Sequence, residues 1–171
     1  HMFAKSARPL RIIINADDFG QSSSVNEAVL DAAERGVLTS ATIMANMPGF
    51  DEAVAGAKRL PKLGVGVHLN LLRGRPLSNP ASIPSLVRPD GSFFDDGGEF
   101  IKRFARGLIA EQEVERELAA QIRRVVGSGL TPTHADSEKH LHVLLPGLGT
   151  IVCRLIHRFG FSRLRVPHES L

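Results

Sequence analysis

Tryptophan and tyrosine are both missing from the 171 residues, and cysteine occurs once, at Cys153. A lone cysteine has no intrachain partner, so no disulfide framework holds this chain, and the usage fits a reducing compartment. Cys153 lies in the helical pattern Ile151-Val152-Cys153-Arg154-Leu155-Ile156 and reads as a buried small apolar residue rather than a nucleophile. No apolar run approaches the ~20 residues of a membrane span, and no signal-peptide apolar region opens the chain. The sequence therefore reads as cytoplasmic. Repeats and low-complexity tracts are absent too. The basic excess is small, a net charge of +3, and it is spread through helical patterns such as Lys102-Arg103, Arg106 and Arg123-Arg124. Without an aromatic-basic stripe, a nucleic-acid partner has little support.

What is present describes a globular domain large enough for a real core, with 43% hydrophobic and 23% charged residues. Arg11-Ile12-Ile13-Ile14-Asn15 reads as a first strand covered on both faces. Ser22, Ser23 or Ser24 caps a helix through Glu34-Arg35, stopped by Gly36. A strand over Thr39 to Ala45, a helix over Phe50 to Leu60 and a strand over Leu63 to Leu69 follow. From Arg73 to Gly98 the periodicity breaks at Pro76, Pro80, Pro84 and Pro89, marking a long loop that is a lid, a binding loop or disordered. Phe93, Phe94 and Phe100 either stack on a ligand or pin that loop to the body. Helices near Glu99 to Leu108 and Glu111 to Val126, a strand over Pro132 to Asp136, a helix over Pro146 to Arg158 and a strand at Leu164-Arg165-Val166-Pro167 complete the pattern. About five βα units predict an α/β fold, a parallel sheet curling toward a distorted, incomplete (β/α) barrel, since a closed eight-unit barrel needs ~250 residues.

Three polar clusters end three of these apolar strands. Asp17 and Asp18 follow the first, so that one can bind a metal while the other handles a proton; capping and solvation are the bland alternative. His68 ends Leu63-Gly64-Val65-Gly66-Val67, where a hydrogen-bonded structural histidine is the simpler reading. Thr133 to His142 places His134, Asp136, Glu138, His140 and His142 at every second position, one face of an extended backbone. Ligand-type side chains lining strand ends are poor core material and good shells for a metal. Together the clusters favour a metal-assisted hydrolytic site.

The segments Asn15-Ala16-Asp17-Asp18-Phe19-Gly20, Gly36-Val37-Leu38-Thr39-Ser40-Ala41-Thr42, Gly64-Val65-Gly66-Val67-His68-Leu69-Asn70 and His134-Ala135-Asp136-Ser137, in that order, resemble the YdjC-like carbohydrate deacetylases. The resemblance runs from about Arg11 to the chain's end. It implies a distorted (β/α) barrel that removes acetyl groups from N-acetylated sugars with one divalent metal. It also implies Asp17 as general base and Asp18 and His68 as metal ligands. The family's third ligand is the histidine after the Asp-Ser pair, and here that place holds Glu138. An Asp-His-Glu set is harder than Asp-His-His and shifts preference toward Mg²⁺ or Mn²⁺, with Zn²⁺ still accepted. His140 is the substitute ligand if Glu138 points away. His140 and His142 are candidates for orienting ligands or assisting the leaving group. Arg165 either pairs with Asp17 or makes an ordinary surface salt bridge. Rival readings are another metal-dependent hydrolase, such as a phosphoesterase, and a non-catalytic sugar-binding or assembly module.

His1-Met2 reads as a cloning remnant, residues 1–10 as a tail, and residues 11–171 as a single domain. Because the chain stops just after a strand, it is expected to be a C-terminally shortened piece of a longer protein, weak or inactive on its own. Assembly into a homo-oligomer is left open.

Overall fold

Four short segments of small and β-branched residues pair side by side. β1 (Asn15–Phe19), β2 (Ser40–Ile43), β3 (Gly64–Leu69) and β4 (Ala135–Ser137) form one sheet in chain order, every neighbour parallel. The structure is a computed structural model, which describes residues 11–167. The tail assigned to residues 1–10, and residues 168–171, lie outside the described residues. The helices are α1 (Ser23–Glu34), α2 (Phe50–Arg59), α3 (Gly97–Ala105), α4 (Glu111–Gly127), α5 (Leu141–Leu144) and α6 (Pro146–Arg158). Right-handed crossovers between strands taken in sequential order place the connecting helices on one side of the sheet. The α/β class with parallel strands is the one expected.

Strand alternation then sorts the side chains. Ala41, Ile43, Val65, Val67, Leu69 and Ala135 join the core with helix residues such as Val54, Leu118, Ile122, Leu148 and Val152. The opposite face carries Asn15, Asp17, Ser40, Thr42, His68, His134 and Asp136; Ser40 bonds Asn15, and Thr42 and His68 bond Asp136, across the strands. At Gly66 the imidazole of His134 lies so close over the strand that an added Cβ would come within 2.5 Å of it. A cavity of about 850 Å³ lies over the starts of the strands on this side, lined by Ile12, Ile13, Asn15, Ser40, His134 and Arg165 among others.

The long loop is ordered by burial. Ile83, Leu86 and Phe93 are at most 1% exposed, and Phe94 and Phe100 are buried as well. The phenylalanines pin the loop to the body. The fully buried Glu117 of α4 accepts the backbone N–H groups of Leu77 and Ser78, tying the loop down a second time.

Three expectations change. The first strand begins at Asn15 and contains both aspartates, whereas Ile12 and Ile13 are 65% and 79% exposed. Pairing starts where β2 begins opposite Asn15, and no described element covers the isoleucines. The segment expected as a fifth strand makes one isolated parallel bridge, Leu164 to Ala135, and Pro167, lacking an N–H, offers no donor to lengthen it. Cys153 is exposed, because Ile151, Val152, Leu155 and Ile156 form the inward stripe of α6 and residue 153 falls on its other side.

Candidate metal centre

A β-bulge explains how two adjacent aspartates serve one site. The β1–β2 register slips between Ala16 and Phe19, and Asp18 takes a left-handed backbone with φ of 64°. The extra residue re-aims Asp18 while Asp17 stays on the polar face and Phe19 returns to the core. Asp tolerates this conformation better than most residues, and such strain is characteristic of functional sites.

Asp18, His68 and Glu138 offer ligand atoms that all lie within 4.8 Å of one another. His68 Nε2 stands 3.6 Å from Asp18 Oδ1 and 3.3 Å from Glu138 Oε2. Ligands at about 2.0–2.2 Å from a tetrahedral ion are separated by roughly 3.3–3.6 Å, so this donor set fits a divalent cation. Asp17, His68 and Asp136 form a second, overlapping group. His68 Nδ1 is 2.6 Å from Asp136 Oδ1, and that carboxylate is fully buried. A carboxylate on Nδ1 fixes the ring and leaves Nε2 directed at the cluster. Thr42 Oγ1 donates to the other Asp136 oxygen at 3.2 Å.

Opposite charges alternate within the cluster. Burial disfavours the His68 cation, but hydrogen bonds to Asp136 and Glu138 outweigh it and push the pKa up to about 9. Burial opposes ionisation of Asp136 and Glu138 too, yet His68, with Arg73 at Glu138, holds both carboxyls below their usual range. Arg165 Nη1 reaches Asp17 Oδ1 at 2.6 Å and Asp136 Oδ2 at 3.3 Å, so it belongs to the site rather than to the outer surface.

The alternation from His134 to His142 ends at Glu138. Lys139 and His140 both adopt left-handed backbones, φ 50° and 51°, and turn the chain into α5. Glu138 points into the cluster, and His140 is in neither group of ligand atoms. His142 is held by Ser137 Oγ at 2.6 Å and by the Arg165 carbonyl at 2.9 Å, and burial pushes its pKa down. It braces the segment that follows Glu138. Arg73 was not singled out from the sequence. Its Nη2 lies 2.5 Å from Asp18 Oδ1 and 2.7 Å from Glu138 Oε2. An arginine opening a Gly- and Pro-rich loop carries no periodic signal, so only the fold exposes its role. Asp136 had a signal, its place two residues before Glu138 on the same face.

Carboxylates and an imidazole from three strand ends of a parallel α/β sheet thus converge on one point. The family model described as YdjC-like protein matches residues 11–171, and the chain belongs to that family. It is 46% identical over 165 residues to a carbohydrate deacetylase of Geobacillus stearothermophilus, covering 94% of this chain and 63% of that protein. A carbohydrate deacetylase of Brevibacillus brevis is 44% identical, with 92% of this chain and 58% of the relative covered. A crystal structure from Enterococcus faecalis V583, put forward as a cellobiose-phosphate cleavage protein, superimposes with a TM-score of 0.82 at 33% identity, covering 93% of this chain and 59% of that one. The chain thus spans about three-fifths of the length of the relatives it matches.

Proposed function

We propose that this chain carries the ion-binding and base-bearing part of a carbohydrate N-deacetylase, a hydrolase that removes acetate from an N-acetylated amino sugar. The observation that carries the reading is the meeting of Asp18, His68 and Glu138 from three strand ends. Likeness to proteins named carbohydrate deacetylase supports the substrate class.

Asp18, His68 and Glu138 would hold one divalent cation, with Mg²⁺ or Mn²⁺ favoured by two carboxylates and Zn²⁺ by the imidazole. Bound there, such an ion polarises the amide carbonyl and makes water a stronger acid. Asp17 is the base that takes the proton of the attacking water. Arg165 holds the Asp17 carboxylate in place, and Asn15 donates to the same oxygen at 2.7 Å. Asp136 keeps His68 in one orientation. Water oxygen bonds to the acetyl carbon, the C–N bond breaks, and acetate and the protonated sugar amine are the products.

A phosphoesterase would call for free cationic groups at the site. Arg165, the arginine that reaches both Asp17 and Asp136, is neutralised by those carboxylates. No described helix is long and apolar enough to cross a membrane, and the lone cysteine suits a cytoplasmic setting. Acetate release from N-acetylglucosamine oligomers, measured on chelator-stripped protein with each cation added back, tests the reading. Asp17→Asn should keep cation binding and lose roughly 10²-fold or more in turnover. Turnover equal to that of the unaltered protein would remove Asp17 from the mechanism.

A further inference from the structure

Arg73 is the side chain at this centre that the deacetylation scheme leaves without work. One nitrogen, Nη2, contacts both Asp18 and Glu138, the two carboxylates of the ligand cluster. Those contacts engage the carboxylate oxygens that a divalent ion would need, and they bring a like charge against it. We propose that Arg73 is a tethered counter-cation which closes the centre and withdraws when a divalent ion is taken up. The site thereby alternates between an arginine-closed and an ion-loaded state. The proposal rests on the reading of Asp18, His68 and Glu138 as cation ligands.

Three features make the side chain the moving part. The backbone of Arg73 is anchored: its N–H donates to Asn70 Oδ1 at 2.9 Å, and its carbonyl accepts from Asn70 Nδ2 at 2.8 Å and Asn46 Nδ2 at 3.0 Å. Its guanidinium is poorly satisfied, because the buried Nε has no hydrogen-bond partner. An arginine built as a permanent clamp uses its planar fork on a carboxylate; here a single nitrogen spans two of them. The side chain also remains 24% exposed, so a route to solvent is open. With Arg73 in place, its positive charge offsets part of the repulsion between two carboxylates held at close quarters. A divalent ion held by the same oxygens would offset that repulsion more completely.

Withdrawal costs free energy, so the closed state lowers apparent ion affinity by the fraction of molecules that remain open. If nine molecules in ten are closed, removing the guanidinium tightens binding about tenfold. Calorimetric titration of Mn²⁺ and Zn²⁺ into chelator-stripped protein tests this on the unaltered chain, Arg73→Ala, Arg73→Gln and Asp18→Ala. Circular dichroism certifies the fold of each, and the glutamine variant keeps bulk without charge. Both Arg73 variants should bind at least about fivefold more tightly and, when stripped, melt at lower temperature than the unaltered protein. Affinity unchanged or weakened in both, with binding lost in Asp18→Ala, overturns the arginine's role while leaving the cation site standing. No binding by the unaltered protein or by either Arg73 variant overturns both. Binding confined to the Arg73 variants supports the proposal in its strongest form.

Discussion

At the residue scale the site is a set of mutual dependencies. His68 owes its orientation to Asp136, so Asp136→Asn should weaken cation affinity about 10–100-fold, read by calorimetry, with the four strands intact. Glu138→His exchanges a carboxylate for the softer imidazole and should raise the preference for Zn²⁺ over Mg²⁺. An unchanged ratio of the two affinities would place Glu138 outside the ligand set. Protonation gives a third expectation, for stripped protein. The pKa of His68 is raised from 6.5 to about 9, so its stabilising contribution is complete below 6.5 and is lost as pH rises through 9. His142 and His134, both pushed down chiefly by burial, act the other way: their contribution is present above 6.5 and lost as pH falls below it. Melting temperature should therefore decline on both sides of about pH 6.5, and His68→Gln should remove the alkaline decline while also altering the acid side, because Asp136 and Glu138 lose a partner that keeps them ionised. A profile that keeps its alkaline limb in that variant would refute the assignment.

At the element scale, function depends on loops and turns being held by buried polar groups. Glu117 is the clearest case, a fully buried carboxylate on α4 accepting from Leu77, Ser78 and Gln121. Glu117→Ala would leave buried N–H groups without partners, and loss of a hydrogen bond to a charged group costs about 1.5–3 kcal/mol. We expect a destabilisation of that order by urea denaturation, together with faster amide exchange between residues 73 and 98. Destabilisation without faster exchange in that segment would mean that Glu117 serves the helix rather than the loop. The same logic covers the bulge in β1 and the left-handed pair Lys139-His140, each of which turns the chain where a ligand must be aimed.

For the whole molecule, the sheet has one apolar face buried under helices and one polar face that carries the candidate site. Stability should follow that division. Phe100, fully buried, should cost about 3–5 kcal/mol as Phe100→Ala. Ile13, 79% exposed, should change stability by under about 0.5 kcal/mol as Ile13→Ser, despite lying in the most apolar run of the chain. Equal losses for the two, in chemical denaturation, would mean that Ile13 is covered in solution.

Much of this was legible in local chemistry. A serine cap among Ser22 to Ser24, the glycine stop at Gly36, the apolar stripe of α1 and the strand–helix alternation are set by neighbours a few residues apart; α1, α2, α3, α4 and α6 fall close to where periodicity puts them, and α5 does not. Asp18, His68 and Glu138 were visible for the same reason, as polar side chains at the ends of apolar strands. Tertiary structure decided the rest. Whether Ile12 to Ile14 are buried depends on what covers them, which no local pattern encodes. The side of α6 that Cys153 occupies was set by which stripe packed inward. Arg73 and Arg165 reached the site through contacts 55 and 148 residues away in the chain. Periodicity reports the face a residue occupies on its own element; the partner across from it is fixed only when distant elements pack.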